Sequence, residues 1–174
     1  MSFCEFFHLG CKIKIFAQMK IKTQEISSEL LEKFQVRLFI KRLDLIHPFI
    51  SGNKWYKLKY NIIEAEKQNF ETILTFGGAY SNHIASVAYL AQEKGFNSIG
   101  IIRGEQKENL NPTLRLAKAN GMTLYYVRRS EYRNKHTYDF ICQLKKKYGR
   151  FYLIPEGGTN KLALKGASEI LDNN

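Results

Sequence analysis

Short apolar stretches alternate with helix-length amphipathic stretches along most of this chain, and this alternation is its strongest structural constraint. The apolar stretches predict strands at 35–43, 71–76, 98–102, 122–127 and 151–154. The amphipathic stretches predict helices at 53–68, 81–95, 111–121, 131–148 and from about residue 161. Strands separated by helices of this length form βαβ units with a parallel sheet. The predicted fold class is therefore α/β with an open parallel sheet.

Two of these predictions depend on particular residues. In the helix at 53–68, Trp55, Leu58, Ile62 and Ala65 recur every three or four positions and form one apolar stripe. The strand at 71–76 is expected to break at the pair Gly77-Gly78, since glycine weakens a strand interior.

The charge of the chain raises the question of nucleic-acid binding. The formal net charge is +11, but the cations are 19 Lys and only 8 Arg, scattered apart from one run at 145–147. Base and phosphate recognition favours the fixed donor fork of Arg. We therefore predict a solvated, Lys-rich surface and no nucleic-acid partner.

Cysteine content and hydropathy indicate the compartment. Cys4, Cys11 and Cys142 match no metal-binding spacing and leave an odd thiol if two of them pair, so a reducing cytoplasm is expected. No apolar run approaches 18 residues, so no membrane span is predicted. Residues 1–18 lack the features of a signal peptide and are predicted to be an N-terminal extension.

Three short stretches combine glycine with polar side chains: 51–54 (SGNK), 77–83 (GGAYSNH) and 156–160 (EGGTN). Each lies at a junction that leads into a predicted helix. Open α/β sheets place ligand sites at such junctions, because helix N-termini there offer unpaired N–H groups. The sequence contains no dinucleotide-binding or P-loop glycine motif.

Lys54 is the candidate reactive group of the first stretch. At the start of a helix and beside its apolar stripe, a lysine is expected to have a lowered pKa, which frees the amine for covalent chemistry with a carbonyl. On position alone, an ordinary surface lysine is the simpler interpretation.

The second stretch predicts an anion site. The Ser81 hydroxyl and the Asn82 amide, with the N–H groups of the helix they open, suit a carboxylate. The alternative is a pair of helix caps without a ligand. His83 is a candidate general base, although a lone histidine in a first helical turn is more often structural.

Together, the runs at 51–58 (SGNKWYKL) and 77–83, with KRLD at 41–44 and PEGG at 155–158, resemble the 1-aminocyclopropane-1-carboxylate deaminase/D-cysteine desulfhydrase family. The resemblance covers roughly residues 34–170. It implies the pyridoxal-phosphate fold type II, which is similar to the tryptophan synthase β chain. It also implies an enzyme that acts on a small amino acid.

The resemblance assigns a role to each matching residue. Lys54 matches the lysine that holds pyridoxal 5'-phosphate covalently and then shuttles a substrate proton. Asn82 matches the asparagine beside the ring hydroxyl of the cofactor. Ser81 matches the serine that contacts the substrate carboxylate and is the proposed nucleophile of ring opening. His83 is placed with Ser81 and Asn82 in substrate binding, and no metal is expected.

Two departures from the family pattern qualify these roles. Tyr80 stands where the deaminases usually have glutamine, which favours a desulfhydrase-like or uncharacterised member over a true deaminase. Family members are about twice as long, so this chain is expected to be truncated, to lack the phosphate-binding loop and to be inactive alone.

The resemblance also implies a division of the chain. Residues 19–52 would begin the large domain, 53–148 would form the small α/β domain, and 149–174 would begin an incomplete return to the large domain. The full-length protein would be a homodimer. The alternative function is a small α/β anion-binding or regulatory module without catalysis.

Overall fold

The computed structural model describes residues 21–50 and 52–172. Its strands are β1 (Thr23–Ile26), β2 (Leu38–Lys41), β3 (Thr72–Gly78), β4 (Asn97–Arg103), β5 (Met122–Val127) and β6 (Tyr152–Ile154). Its α-helices are α1 (Glu29–Lys33), α2 (Lys54–Lys67), α3 (Asn82–Lys94), α4 (Pro112–Ala119), α5 (Arg129–Tyr132), α6 (Tyr138–Tyr148) and α7 (Lys161–Asp172). The predicted extension 1–18 and Ser51 lie outside the described residues.

Four strands form the predicted open parallel sheet, in the order β5-β4-β3-β6. Five consecutive residues are buried in each central strand, at 73–77 in β3 and at 98–102 in β4. Continuous burial of this kind is typical of a parallel sheet that is covered on both faces. Helices α2, α3 and α4 contribute to one core cluster, and α6 contributes Leu144 to a second cluster with Phe76 and Phe151. The α/β prediction is confirmed.

The first predicted strand belongs to a different sheet. It is shorter than the predicted 35–43 at both ends. Gln35 has a positive φ of 54°, which no extended strand allows, and a short 3-10 helix begins at Leu43. Strand β2 pairs antiparallel with β1, and Ile26 lies opposite Leu38. Neither β1 nor α1 was predicted from the sequence.

Two further sequence predictions were wrong. Gly77 and Gly78 do not break β3. They are its last two residues, and both are still paired with β4. The single helix predicted at 131–148 is two helices, α5 and α6. Thr137 ends the connection between them: its Oγ1 donates to the carbonyl of Asn134 at 2.8 Å and accepts from the amide of Phe140 at 3.4 Å.

Helix α7 packs tightly against α2. A Cβ atom at Gly166 would lie 1.9 Å from the carbonyl oxygen of Tyr56, so only glycine permits this approach. Lys59 on α2 forms an ion pair with Glu169 on α7 at 2.7 Å. The start of α7 at Lys161 confirms the predicted position, and this packing fixes α2 from one side.

Three further features concern the part of the chain that the structure describes. None of the helices there has the length and apolarity needed to cross a membrane. No cluster of three metal-ligating side chains occurs in residues 21–50 and 52–172. Cys142 is a free thiol and is half-buried; Cys4 and Cys11 lie outside the described residues.

Candidate active site

A cavity of about 290 Å³ brings the three glycine-containing stretches together. It lies where β3 and β6 end and where α2 and α3 begin. This is the edge of a parallel sheet at which ligand sites form. The cavity is lined by Asn53, Lys54, Ser81, Asn82, His83, Glu156 and Gly157. All four predicted site residues are therefore neighbours, although they are up to 29 positions apart in the sequence.

Lys54 is the first residue of α2 and is half-buried. Its Nζ donates a hydrogen bond to the side-chain oxygen of Asn53 at 3.3 Å. Burial lowers the pKa of Lys54, and the nearby charge of Lys57 lowers it further. The predicted direction of the pKa shift is correct, and its main cause is loss of solvent.

Ser81 and Asn82 open α3 beside Lys54. The Ser81 Oγ accepts a long hydrogen bond of 3.4 Å from the amide of Ile84, so it caps the helix. A Cβ atom at Gly77 would lie 2.5 Å from Cγ1 of Ile84, so glycine lets this helix start approach the end of β3. Ser81 is half-buried and Asn82 is exposed. The capping role is thus present, and it leaves the hydroxyl on the wall of the cavity.

His83 is buried behind Ser81 and Asn82, with 2% of its surface exposed. Its Nε2 lies 2.8 Å from Oγ1 of Thr75, which itself donates to the carbonyl of Ile154 at 2.8 Å. Because the threonine proton is used on Ile154, the hydroxyl accepts from Nε2–H of His83. His83 therefore joins β3, α3 and the end of β6.

His83 is neutral near physiological pH. Burial, followed by the charges of Lys54 and Lys57, lowers the pKa of His83 to about 3. A neutral ring that donates at Nε2 leaves a lone pair at Nδ1, which is buried. A hydrogen bond with the backbone of Pro155 opposes the lowering of the His83 pKa. The structural interpretation of this histidine is supported by its bond to Thr75, and a base role would depend on Nδ1.

Glu156 adds an acidic side chain to the lining of the cavity. Its carboxylate lies 3.3 Å from Nζ of Lys135, which balances its charge. The sequence predicted an anion-facing or close-packing turn here, and assigned no role to the carboxylate. That Glu156 and Gly157 share a cavity with Lys54 follows from the parallel pairing of β6 with β3.

Sequence reasoning missed an asparagine pair that links α2 to the start of α7. Asn61 on α2 is fully buried, and its Oδ1 accepts from Nδ2 of Asn160 at 2.7 Å. Asn160 in turn caps α7, because its Oδ1 accepts from the amide of Ala163 at 2.9 Å. The signal in the sequence was Asn61 itself, a polar residue on the otherwise apolar face of α2.

Comparison with known proteins identifies relatives of this chain. A Thermotoga maritima protein named "Putative 1-aminocyclopropane-1-carboxylate deaminase" is 33% identical over 156 residues, which are 88% of this chain and 50% of that protein. The Arabidopsis thaliana mitochondrial bifunctional D-cysteine desulfhydrase/1-aminocyclopropane-1-carboxylate deaminase is 30% identical over 76% of this chain and 35% of its own length. The chain is a relative of the 1-aminocyclopropane-1-carboxylate deaminases and D-cysteine desulfhydrases. No protein-family model matches the sequence.

Solved structures agree with this family relationship. A crystal structure of a 1-aminocyclopropane-1-carboxylate deaminase homologue superposes with a TM-score of 0.73 at 26% identity, over 90% of this chain and 48% of that one. Diaminopropionate ammonia lyase from Escherichia coli superposes with a TM-score of 0.65 at 16% identity and shows the same fold. The pyridoxal-phosphate fold type II is thereby confirmed.

The relatives are longer than this chain. The chain spans about half the length of the curated relatives it matches, or less. Several expectations from the sequence stay predictions. They are the domain boundaries, the homodimer, the cytoplasmic location, and the roles of Lys54, Ser81, Asn82 and His83.

Proposed function

We propose that this chain carries the lysine-bearing part of a pyridoxal-phosphate-dependent lyase or deaminase that acts on a small amino acid. The observation that carries the proposal is the half-buried Lys54, which shares one cavity with Ser81, Asn82 and His83. A lysine that has lost part of its solvent shell and has a lowered pKa is suited to covalent chemistry with a carbonyl.

The described residues fit the cofactor in part. Lys54 would hold pyridoxal 5'-phosphate covalently, and Asn82 would lie beside its ring hydroxyl. When bound, the cofactor supplies an electron sink for the substrate. The cavity of about 290 Å³ lies at the lower end of the roughly 300–1,000 Å³ usual for small-molecule sites. Its size and its amide and hydroxyl donors suit an amino-acid carboxylate better than the whole cofactor.

The remaining steps belong to this chain's own groups. The N–H groups at the start of α3 and the Ser81 hydroxyl would bind the substrate carboxylate, which the helix dipole favours. The Nζ atom of Lys54 would carry the proton to or from the substrate carbon. His83, held neutral by burial, would orient this helix start without adding a positive charge.

Two substrate classes remain within the proposal: D-cysteine and 1-aminocyclopropane-1-carboxylate. Tyr80 is 77% exposed at the turn before Ser81 and lines a neighbouring cavity of about 390 Å³. As this tyrosine replaces the glutamine usual in deaminases, we favour desulfhydrase-like chemistry. Ser81 and Asn82, which line the same cavity at the start of α3, would also suit the competing function, an anion-binding module without catalysis.

The decisive experiment is to map where pyridoxal 5'-phosphate attaches. The purified chain is incubated with the cofactor, its absorbance spectrum is recorded, and borohydride reduction is followed by peptide mapping. Lys54→Ala is compared with Lys57→Ala, a matched control that removes a half-buried lysine one turn further along α2. We expect the cofactor on Lys54, and its loss only in Lys54→Ala. Labelling that is spread over surface lysines would contradict the proposal.

A second measurement separates the enzyme from the binding module. Turnover of D-cysteine and of 1-aminocyclopropane-1-carboxylate is assayed with the chain alone. Sequence reasoning predicts little or no turnover by this chain, so measurable turnover would overturn that expectation while supporting the enzymatic function. Carboxylate binding without any cofactor on Lys54 would favour the module.

A further inference from the structure

His47 holds the loop of residues 47–50, which precedes α2. Its Nδ1 accepts hydrogen bonds from the backbone amides of both Phe49 and Ile50, each at 3.1 Å. An imidazole nitrogen that accepts two N–H groups must be unprotonated, so the neutral ring carries its proton on Nε2. Asparagine and aspartate form the same kind of turn with amides two residues ahead. Here a histidine occupies that position.

The ring of His47 also links this loop to both helices of the site. It stacks on the indole of Trp55, with ring centroids 5.2 Å apart and an angle of 24° between the planes. Tyr89 on α3 meets the same ring edge-on at 5.1 Å. Ile50, whose amide His47 binds, is fully buried. One side chain therefore fixes the loop, the first turn of α2 and α3 relative to one another.

We propose that His47 is a positioning residue: in its neutral form it holds the loop that sets Trp55 and the adjacent Lys54 in place. The link to Lys54 rests on the proposed function, whereas the contacts themselves do not. Protonation at Nδ1 would remove the acceptor of two amides at once. The loop before α2 would then loosen at acidic pH.

The surroundings of His47 set the pH range of this effect. Burial lowers the pKa of His47, and the carboxylate of Glu93 on α3 opposes that shift. Tyr89 on α3 and Trp55 on α2 contribute neutral rings, and Phe49 from the loop packs edge-on at 6.2 Å. The pKa of His47 is lowered overall, so the ring is neutral and holds the loop at neutral pH. We expect the loop to loosen below about pH 6.5.

The chain contains its own reporter for this test. Trp55 is its single tryptophan and is 4% exposed. A protonated imidazole in contact with an indole quenches the indole fluorescence. We expect one inflection below pH 6.5 in the wild-type emission and none in His47→Phe, which keeps an aromatic ring there. Emission that is flat down to pH 4, or an inflection that persists in His47→Phe, would overturn the proposal.

Amide hydrogen exchange distinguishes the effect of the hydrogen-bond acceptor of His47 from the effect of its aromatic ring. His47→Phe keeps the stacking but removes the acceptor, and His47→Asn keeps an acceptor but removes the ring. We expect protection of the Phe49 and Ile50 amides to fall about tenfold in His47→Phe, which corresponds to about 1.4 kcal/mol. His47→Asn should retain most of that protection and lose its pH dependence. Equal protection in the wild type and His47→Phe would contradict the proposal.

Neither readout requires pyridoxal 5'-phosphate, so this inference and the proposed function fail separately. A missing fluorescence inflection removes the role of His47, whatever attaches to Lys54. Cofactor that attaches away from Lys54 removes the proposed function and leaves the His47 contacts standing. Far-ultraviolet circular dichroism of each variant confirms that the comparison is made between folded proteins.

Discussion

The two sheets of this protein have similar apolar strands and opposite environments. Strand β2 contains Leu38, Phe39 and Ile40, which are 44–47% exposed. Strand β4 contains Ile99, Ile101 and Ile102, which are at most 8% exposed. The first pairs only with β1 in a two-stranded sheet, whereas the second has a strand on each side and helices above and below.

The difference shows that side-chain hydrophobicity does not by itself bury a strand. An isolated pair of strands has marginal stability in water, and further strands or a packed helix are needed to cover a face. In residues 21–50 and 52–172, the energy of folding is therefore expected to be concentrated in the parallel sheet. The proposed site is built on the end of that sheet, where rigid elements position its side chains.

The largest expected effect tests this concentration directly. Ile101→Ala should lower the free energy of unfolding by about 2–5 kcal/mol, because it leaves a cavity in a fully buried position. Ile40→Ala is the matched control in β2 and should change it by no more than about 0.5 kcal/mol. Chemical denaturation measures both. Comparable losses of unfolding free energy in the two strands would contradict the idea that the parallel sheet carries most of the stability.

Gly166→Ala tests the packing of α7 against α2, because two effects predict opposite changes in the free energy of unfolding. Helix propensity alone favours alanine by up to about 1 kcal/mol. The close approach to Tyr56 predicts a net loss of about 1–3 kcal/mol from overpacking, since the added Cβ would lie 1.9 Å from a backbone oxygen. Ser168→Ala, on the exposed side of α7, reports propensity without a clash. A stabilised Gly166→Ala would show that α7 is not held against α2.

The pH dependence of stability should also come from the parallel-sheet region. His83 has a folded pKa of about 3, below the unfolded value of about 6.5. The unfolded chain therefore takes up the proton first, and stability is complete above about pH 6.5 and falls towards pH 3. We expect a loss of about 1 kcal/mol between pH 6.5 and 5.5 from this group. His83→Gln should flatten the profile measured by denaturation at each pH.

The smallest expected effect lies in the two-stranded sheet. Arg37 and Glu25 form an ion pair at 2.8 Å, with side chains 73% and 48% exposed. Its hydrogen bond lowers the pKa of Glu25, but water screens the pair. Arg37→Gln should leave the melting temperature unchanged at physiological salt. A clear destabilisation would indicate that this sheet contributes more than its exposure suggests.

Local sequence signals predicted most helix ends. Helix α3 starts after Ser81 and stops at Gly95, and α4 starts at Pro112, because caps, prolines and glycines act within one turn. The same local reasoning missed the break before α6, which depends on the bond from Thr137 to Asn134. It also ended β3 too early, since it could not include the pairing of Gly77 and Gly78 with β4.

For the candidate site, the sequence supplied the right residues without their arrangement. Lys54, Ser81, Asn82 and His83 were chosen from motif and resemblance, and all four line one cavity. Glu156 joins them only because β6 pairs with β3. His47 carried no motif at all, and its position against Trp55 and Tyr89 is visible only when α2 and α3 are packed.

The sequence by itself determined the alternation of strands and helices, the starts of the main helices and the family resemblance. These depend on contacts between residues close in the chain, or on motifs that need no partner. Tertiary structure decided which apolar strand is buried, which glycine permits close packing and which histidine is neutral. Each of these depends on atoms from segments far apart in sequence, because burial and desolvation are properties of the assembled core.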